Sequence, residues 1–394
     1  MRFIIILTLS ATTLLACNQN TESASTTESP PPEKSANTAS DNPLLGLPSV
    51  PVPPDNPQSP AKIALGDKLY HDPQFSADGK VSCATCHEEK KAFTDNQQFS
   101  TGHHGLKGTR NAPTVLNAAF YTSQFWDGRQ PDLEGQSKQP FVNPVEGGLP
   151  DYTPILNVVR SDPDYKAAFA SVFGVSGEQL TMDHVAKAIA SFERTVISGD
   201  SPFDRYYFKG DKTALDDAQV RGFQLFIGQG RCVSCHTIEQ DHALFTDNRF
   251  HNIGIGINAI QQDVPRLVKA FLEAKNQGGE VDVMVLTDKK TSELGRFAVT
   301  DDTSEIGAFK TPTLRNIALT EPYMHDGSLK TLKEVVIHYN NGGVTQAGAK
   351  VNDFLSGGIR PLNLTDAQID DLVAFLEALT SPQIARQSAA AASN

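Results

Sequence analysis

Apolar residues recur at the α-helical period in two widely separated stretches of the chain. Val185, Ile189, Phe192 and Val196 mark one stripe, and Ile369, Leu372, Val373, Leu376 and Leu379 mark the other. Each predicts an amphipathic helix with one buried face. Thr365 followed by Gln368 supplies a capping box at the start of the second. Upstream of each stripe lies another helical segment, AKIALGDKLYHDP and AQVRGFQLFIGQG, and both carry Gly-x-x-Leu-aromatic, as Gly66-Leu69-Tyr70 and Gly222-Leu225-Phe226. A glycine at that point leaves room for another helix to approach closely. Few segments alternate with period two, so the chain reads as mainly α, with one pattern used twice in tandem.

The two ends depart from this pattern. MRFIIILTLSATTLLAC has one Arg, a short apolar run and small residues at its end, which is the form of an export signal and too short for a spanning helix. Leu14-Leu15-Ala16-Cys17 resembles a bacterial lipoprotein cleavage box, which implies acylation of Cys17. With Asn18 following, it also implies anchoring in the outer membrane of a Gram-negative bacterium, on the periplasmic side. From residue 17 to 57 the chain is rich in Pro, Ser and Thr, a composition that buries too little apolar surface to offset its ordering entropy and reads as a disordered tether. The expected organisation is therefore a signal peptide at 1–16, a tether at 17–57, globular domains at 58–205 and 206–382, and a flexible tail at 383–394.

Charge narrows the partners. A formal net charge of -12 with no basic run argues against nucleic acid. With 394 residues, 39% of them hydrophobic, the chain is long enough for two cores.

Four of the five cysteines lie in Cys83-Ala-Thr-Cys86-His87 and Cys232-Val-Ser-Cys235-His236. In Cys-x-x-Cys-His the two thiols add to the haem vinyl groups and the adjacent imidazole is placed to ligate the iron. A zinc site would pair the two units, yet they are far apart and each has its own His. A thioredoxin-type redox site accounts for one motif without the histidine, and disulfides at this spacing are strained. Two c-type haems, with His87 and His236 on the irons, are the expectation. An early helix crossing a late one around such a motif is similar to the cytochrome c fold.

The stretches between the motifs carry a closer resemblance. GTRNAPTVLNAAFYTSQFWDGRQPDLEGQSKQPFVNPVEGG at 108–148, GRFAVT at 295–300 and GAFKTPTLRNIALTEPYMHDGS at 307–328 resemble the di-haem cytochrome c peroxidase and MauG family. The resemblance implies an enzyme that reduces hydrogen peroxide at the N-terminal haem with electrons passed through the C-terminal haem. It places Glu146 and Gln136 over the N-terminal iron, with Pro140 crowding the open face. It sets Trp126 between the haems as an electron relay, and Asn111, Thr320 and Pro322 around a calcium ion. It matches His103, followed here by His104, to a loop histidine that closes the resting N-terminal iron. Taken on residue type alone, Glu146 is equally a loop carboxylate, Trp126 a core aromatic, and the His103 loop a solvated turn.

Ordinary members of that family close the second iron with a methionine 14 residues after the histidine of Pro-Tyr-x-His. Here that histidine is His325 and the residue 14 positions on is Tyr339, where MauG has an axial tyrosine. On a helical wheel Tyr339 shares a face with Leu332, Val335 and Val336, while His338 lies to the side. Tyr339 is thus the expected ligand, with Met324, His338 and Met284 as alternatives. The MauG-like branch implies oxidation of residues in a partner protein. The other branch implies detoxification fed by a small cytochrome c or cupredoxin. A pure electron carrier is the third reading, and it leaves Glu146 without a role.

Overall fold

The computed structural model describes residues 44–392, so the segment with Cys17 lies outside the described residues. The fold is mainly helical, with two tandem haem-binding domains. In the first, α1 (Pro60–His71) starts at Ser59, whose hydroxyl accepts from the Lys62 amide at 3.2 Å. The attachment helix α2 (Cys83–Cys86) follows. A short helix α3 (Leu133–Gln136) and the long α4 (Met182–Glu193) complete the frame. In the second domain, α5 (Asp217–Ile227) precedes the second Cys-x-x-Cys-His. α6 (Val281–Thr287), α7 (Leu332–Asn340) and α8 (Asp366–Glu377) come after it.

The expected helix crossings are present. A Cβ on Gly66 would stand 1.9 Å from the Ala188 carbonyl oxygen, and one on Gly222 would stand 1.9 Å from that of Asp371. Only hydrogen fits at either point. Thr365 and Gln368 exchange the two capping bonds, at 3.3 and 2.9 Å. Both stripes are buried apart from the half-buried Phe192 and Val373, but α4 ends at Glu193 and α8 at Glu377, so Val196 and Leu379 pack from beyond the helices rather than within them.

The two ends correct the composition reading. Residues 44–57 are packed rather than a tether. The Gly46 carbonyl accepts from the buried Arg315 guanidinium at 2.6 Å, and Asn56, fully buried, donates to Glu134 at 2.7 Å and to the Lys187 carbonyl at 3.0 Å. Its polar residues are ordered by serving buried partners, which overall composition does not register. Residues 383–392 are not a loose tail either: α9 (Pro382–Ala392) buries Ile384 in a cluster that also contains Phe93, Leu116 and Val50. An alanine-rich end is a good helix former once an apolar anchor holds it.

Candidate functional site

Each Cys-x-x-Cys-His opens onto its own cavity. The N-terminal cavity, about 190 Å³, is bordered by Cys83, Cys86 and His87. The C-terminal one, about 540 Å³, is bordered by Cys232, Cys235 and His236. No disulfide joins these four cysteines. The His87 ring meets the Phe93 carbonyl through Nδ1 at 3.3 Å, and the His236 ring meets the Phe245 carbonyl through Nδ1 at 2.8 Å. A carbonyl partner holds the proton on Nδ1 and leaves Nε2 for a metal. Burial lowers the affinity of both rings for a second proton, so both are neutral imidazoles. Thiols, imidazole and an apolar slot of this kind fit a covalently attached haem in each cavity.

The N-terminal cavity is also where Glu146, Gln136, Pro140 and Trp126 come together. Glu146 sits in a tight loop: its amide donates to the Asn143 carbonyl at 3.1 Å, and the next amide, of Gly147, donates to that of Pro140 at 2.9 Å. Burial pushes its carboxyl up to about 7, with the charge of Asp282 adding and Arg129 opposing. Beneath it runs an ionic chain. Arg129 donates to Asp282 at 2.6 Å and to Asp127 at 3.0 Å, and Asp127 also accepts from Arg110 at 2.5 Å. Burial alone would raise the Asp127 carboxyl, but Arg129 and Arg110 outweigh it and hold it well below the usual range.

His103 is not brought into this cavity. Its Nε2 is 2.9 Å from the Pro144 carbonyl oxygen, and its ring lies against Gly148, where a Cβ would stand 2.2 Å from Nε2. In this conformation the ring is turned away from the cavity to which the resemblance assigns it. His104 is exposed and turned toward Asp78.

A wall common to both cavities contains Trp126, Asn111, Tyr121 and Lys310. The Trp126 indole N–H donates to the Asn111 carbonyl at 2.9 Å. Lys310 Nζ lies 3.4 Å from the centre of the Tyr121 ring and donates to the Ser123 carbonyl at 2.8 Å. Burial pulls its ammonium down to about 7.

In the C-terminal cavity, Tyr339 stands on the wall and burial raises its phenol well above the ordinary range. His338 faces away: it is 1% exposed, with Nε2 at 2.8 Å from the Ile253 carbonyl oxygen. Met284 lies in a separate core, whereas Met324 shares the wall with Tyr339. Asn111, Thr320 and Pro322 border this same cavity. The Asn111 side-chain amide donates to the Gln97 carbonyl at 2.8 Å. Among the described residues, Cys235, Asp247 and His251 bring ligand atoms within 4.8 Å of one another, but a thioether claims Cys235.

Comparison with known proteins agrees with this geometry. The family model for di-haem cytochrome c peroxidase matches residues 60–213, and the cytochrome c model matches 219–380. Cytochrome-c peroxidase IdrP1 of Denitromonas iodatirespirans is 37% identical over 86% of this chain and 86% of its own. The methylamine utilization protein MauG of Methylorubrum extorquens is 36% identical over 85% of each. The crystal structure of a MauG-like protein associated with microbial copper homeostasis superposes with a TM-score of 0.69 at 32% identity, covering 86% of this chain and 95% of that one. The chain belongs to the di-haem cytochrome c peroxidase family. As a member it holds two c-type haems and is an oxidoreductase acting on peroxide.

For a di-haem peroxidase, several site residues carry no signal of their own in the sequence. Arg129 lies inside a motif but has no mark of its role, and Lys310 reads as a surface charge. Asp282 comes from a helical stretch that has its own apolar cluster and lies ahead of the GRFAVT motif. A second buried acid, Glu193, borders the N-terminal cavity at the end of α4. Aligning the two repeats could have found it.

Proposed function

We propose that hydrogen peroxide is reduced in the N-terminal cavity, with Glu146 as the acid-base group. The observation that carries this reading is the Glu146 carboxyl, poised by burial at about 7 beside His87 and both attachment cysteines. The haem supplies an iron that binds peroxide and delivers electrons to it; the protein moves the protons. Glu146 takes the proton from the near oxygen of peroxide and gives it to the far one, while two electrons and two protons convert the molecule to two waters. A carboxyl whose pKa is close to the working pH does both halves of that transfer well. Gln136, on the same cavity, would offer its side-chain amide to peroxide, and Pro140 would restrict what can approach.

In this proposal electrons cross between the cavities through Trp126 and its Asn111 contact, arriving at the C-terminal haem from a small cytochrome c or cupredoxin. Tyr339, on the wall of the C-terminal cavity, would ligate the iron there. As a hard anionic oxygen it stabilises the oxidised metal, which favours a MauG-like role in oxidising residues of a partner protein. Calcium held by Asn111, Thr320 and Pro322 fits the same wall, and removing it with a chelator should lower activity that added calcium restores. An unaffected rate would exclude it. Acylated Cys17 would tether the enzyme on the periplasmic side, which mass analysis of the mature N-terminus checks.

Glu146→Gln tests the core of the reading. With both haems attached, peroxide turnover should fall about 10²- to 10⁴-fold. Turnover within a few-fold of the parent would remove Glu146 as the acid-base group.

A further inference from the structure

The two helix crossings set an equivalence between the repeats. A Cβ on Gly66 would meet the Ala188 carbonyl and Phe192 Cβ, and one on Gly222 would meet the Asp371 carbonyl and Phe375 Cβ. Phe192 therefore corresponds to Phe375, and the residues that follow, Glu193 and Leu376, correspond to each other. Both are buried, at 5% and 6% exposure, and each borders the haem cavity of its own domain. The position that is an aliphatic wall at the C-terminal haem is a carboxyl at the N-terminal one.

Among the described residues, no basic group forms an ion pair with that carboxyl. Glu193 Oε2 is buried without a hydrogen-bond partner. The adjacent Arg194 turns its guanidinium to Glu134, with two bonds at 2.7 and 2.8 Å. Tyr70, facing from α1, donates its hydroxyl to the His87 carbonyl at 3.0 Å. An ionised carboxylate left so would be costly, and a neutral acid is the form this site favours.

We propose that Glu193 is a redox-linked proton site of the N-terminal haem: it takes up one proton when that haem gains one electron from the reducing partner, and releases it when the electron leaves. A unit change of charge on the iron acts through a poorly screened interior on the nearby carboxyl. Burial pushes Glu193 up to about 8, with Arg194 opposing and Glu134 adding. The extra positive charge of the oxidised metal draws it toward the ionised form, and reduction removes that pull. The groups facing it are Tyr70 from α1, Cys83 from α2, Glu134 from α3, Arg194 and, across the cavity, Glu146. Tyr70 is neutral, Cys83 is uncharged once in its thioether, and Arg194 pairs with Glu134. Glu146 and Lys310 also line the cavity and are both shifted to about 7, so each needs its own control, and Lys310→Met, like the Glu146 variant below, should keep the pH dependence. The inference rests on the haem in the cavity and not on which carboxyl handles peroxide.

Spectroelectrochemical titration of the di-haem protein between about pH 6 and pH 9, either side of the raised value, tests it. The reduction equilibrium of the N-terminal haem should shift by up to tenfold, about 59 mV, per pH unit within that range. Glu193→Gln keeps the size of the side chain and Glu193→Leu copies Leu376. Each should flatten that slope while leaving the behaviour of the C-terminal haem as it was, and Glu146→Gln should retain it. A flat parent protein, a slope that survives in both Glu193 variants, or a slope lost only in Glu146→Gln would overturn the proposal.

Discussion

Asp282 accepts the Nε–H of Arg129 at 2.6 Å, and this pair fastens a helix of the C-terminal half under the loop that carries Glu146. Asp282 also accepts from the Asn143 side chain, whose own oxygen accepts the Val145 amide at 3.1 Å. Position and charge of Glu146 thus depend on a residue far along the chain. The charge of Asp282 raises the Glu146 carboxyl, so kcat/KM for peroxide, which needs the carboxylate, should fall as pH drops through about 7. In Asp282→Asn that limb should move to lower pH, because one source of repulsion is gone. A limb that stays in place or moves up would show that Asp282 does not act on Glu146.

Tyr339→Phe removes the proposed oxygen ligand and keeps the ring on the cavity wall. With two haems per chain retained, the spectrum of the C-terminal haem should change from that of an oxygen-ligated iron. If instead the spectrum is unaltered and changes in Met324→Leu, the thioether on the same wall is the ligand.

Trp126→Phe deletes the indole N–H given to the Asn111 carbonyl. Electron exchange between the haems, followed by rapid mixing of the half-reduced protein with peroxide, should slow by roughly tenfold or more, about 1.4 kcal/mol of barrier. Exchange at the parent rate would take Trp126 off the route.

Gly66→Ala inserts a methyl where the Ala188 carbonyl already stands, so α1 and α4 must separate. Overpacking of this kind costs about 1–3 kcal/mol, and more where backbone must move. The thermal midpoint should drop while the haem spectra of the surviving folded fraction stay as they were. A midpoint equal to that of the parent would show that the crossing can open freely.

Local signals in the sequence make the helical frame legible. Repeated stripes, the two glycines and the Thr365–Gln368 capping box specify helices whose crossing is a matter of sterics. Cys-x-x-Cys-His is chemistry written in adjacent residues, so both haem sites are readable too. What escapes is any relationship between distant residues. Asn56 looks like part of a Pro-rich tether until Glu134 and Lys187 are found beside it. Ile384 looks like a tail residue until its apolar cluster is seen. His103 illustrates the other limit: its type and place suit an iron ligand, but the Pro144 carbonyl holds the ring elsewhere. Asp282 and Glu193 gain meaning only from the cavity they approach.

Cyanide titration of the fully oxidised di-haem protein asks most directly whether one iron is open and the other closed. If His103 stays with Pro144 and Tyr339 closes the second iron, as proposed, one equivalent should bind per chain, at the N-terminal haem and without prior reduction. Binding of none would mean both irons are closed and the chain is built to carry electrons; binding of two would mean Tyr339 does not close the second.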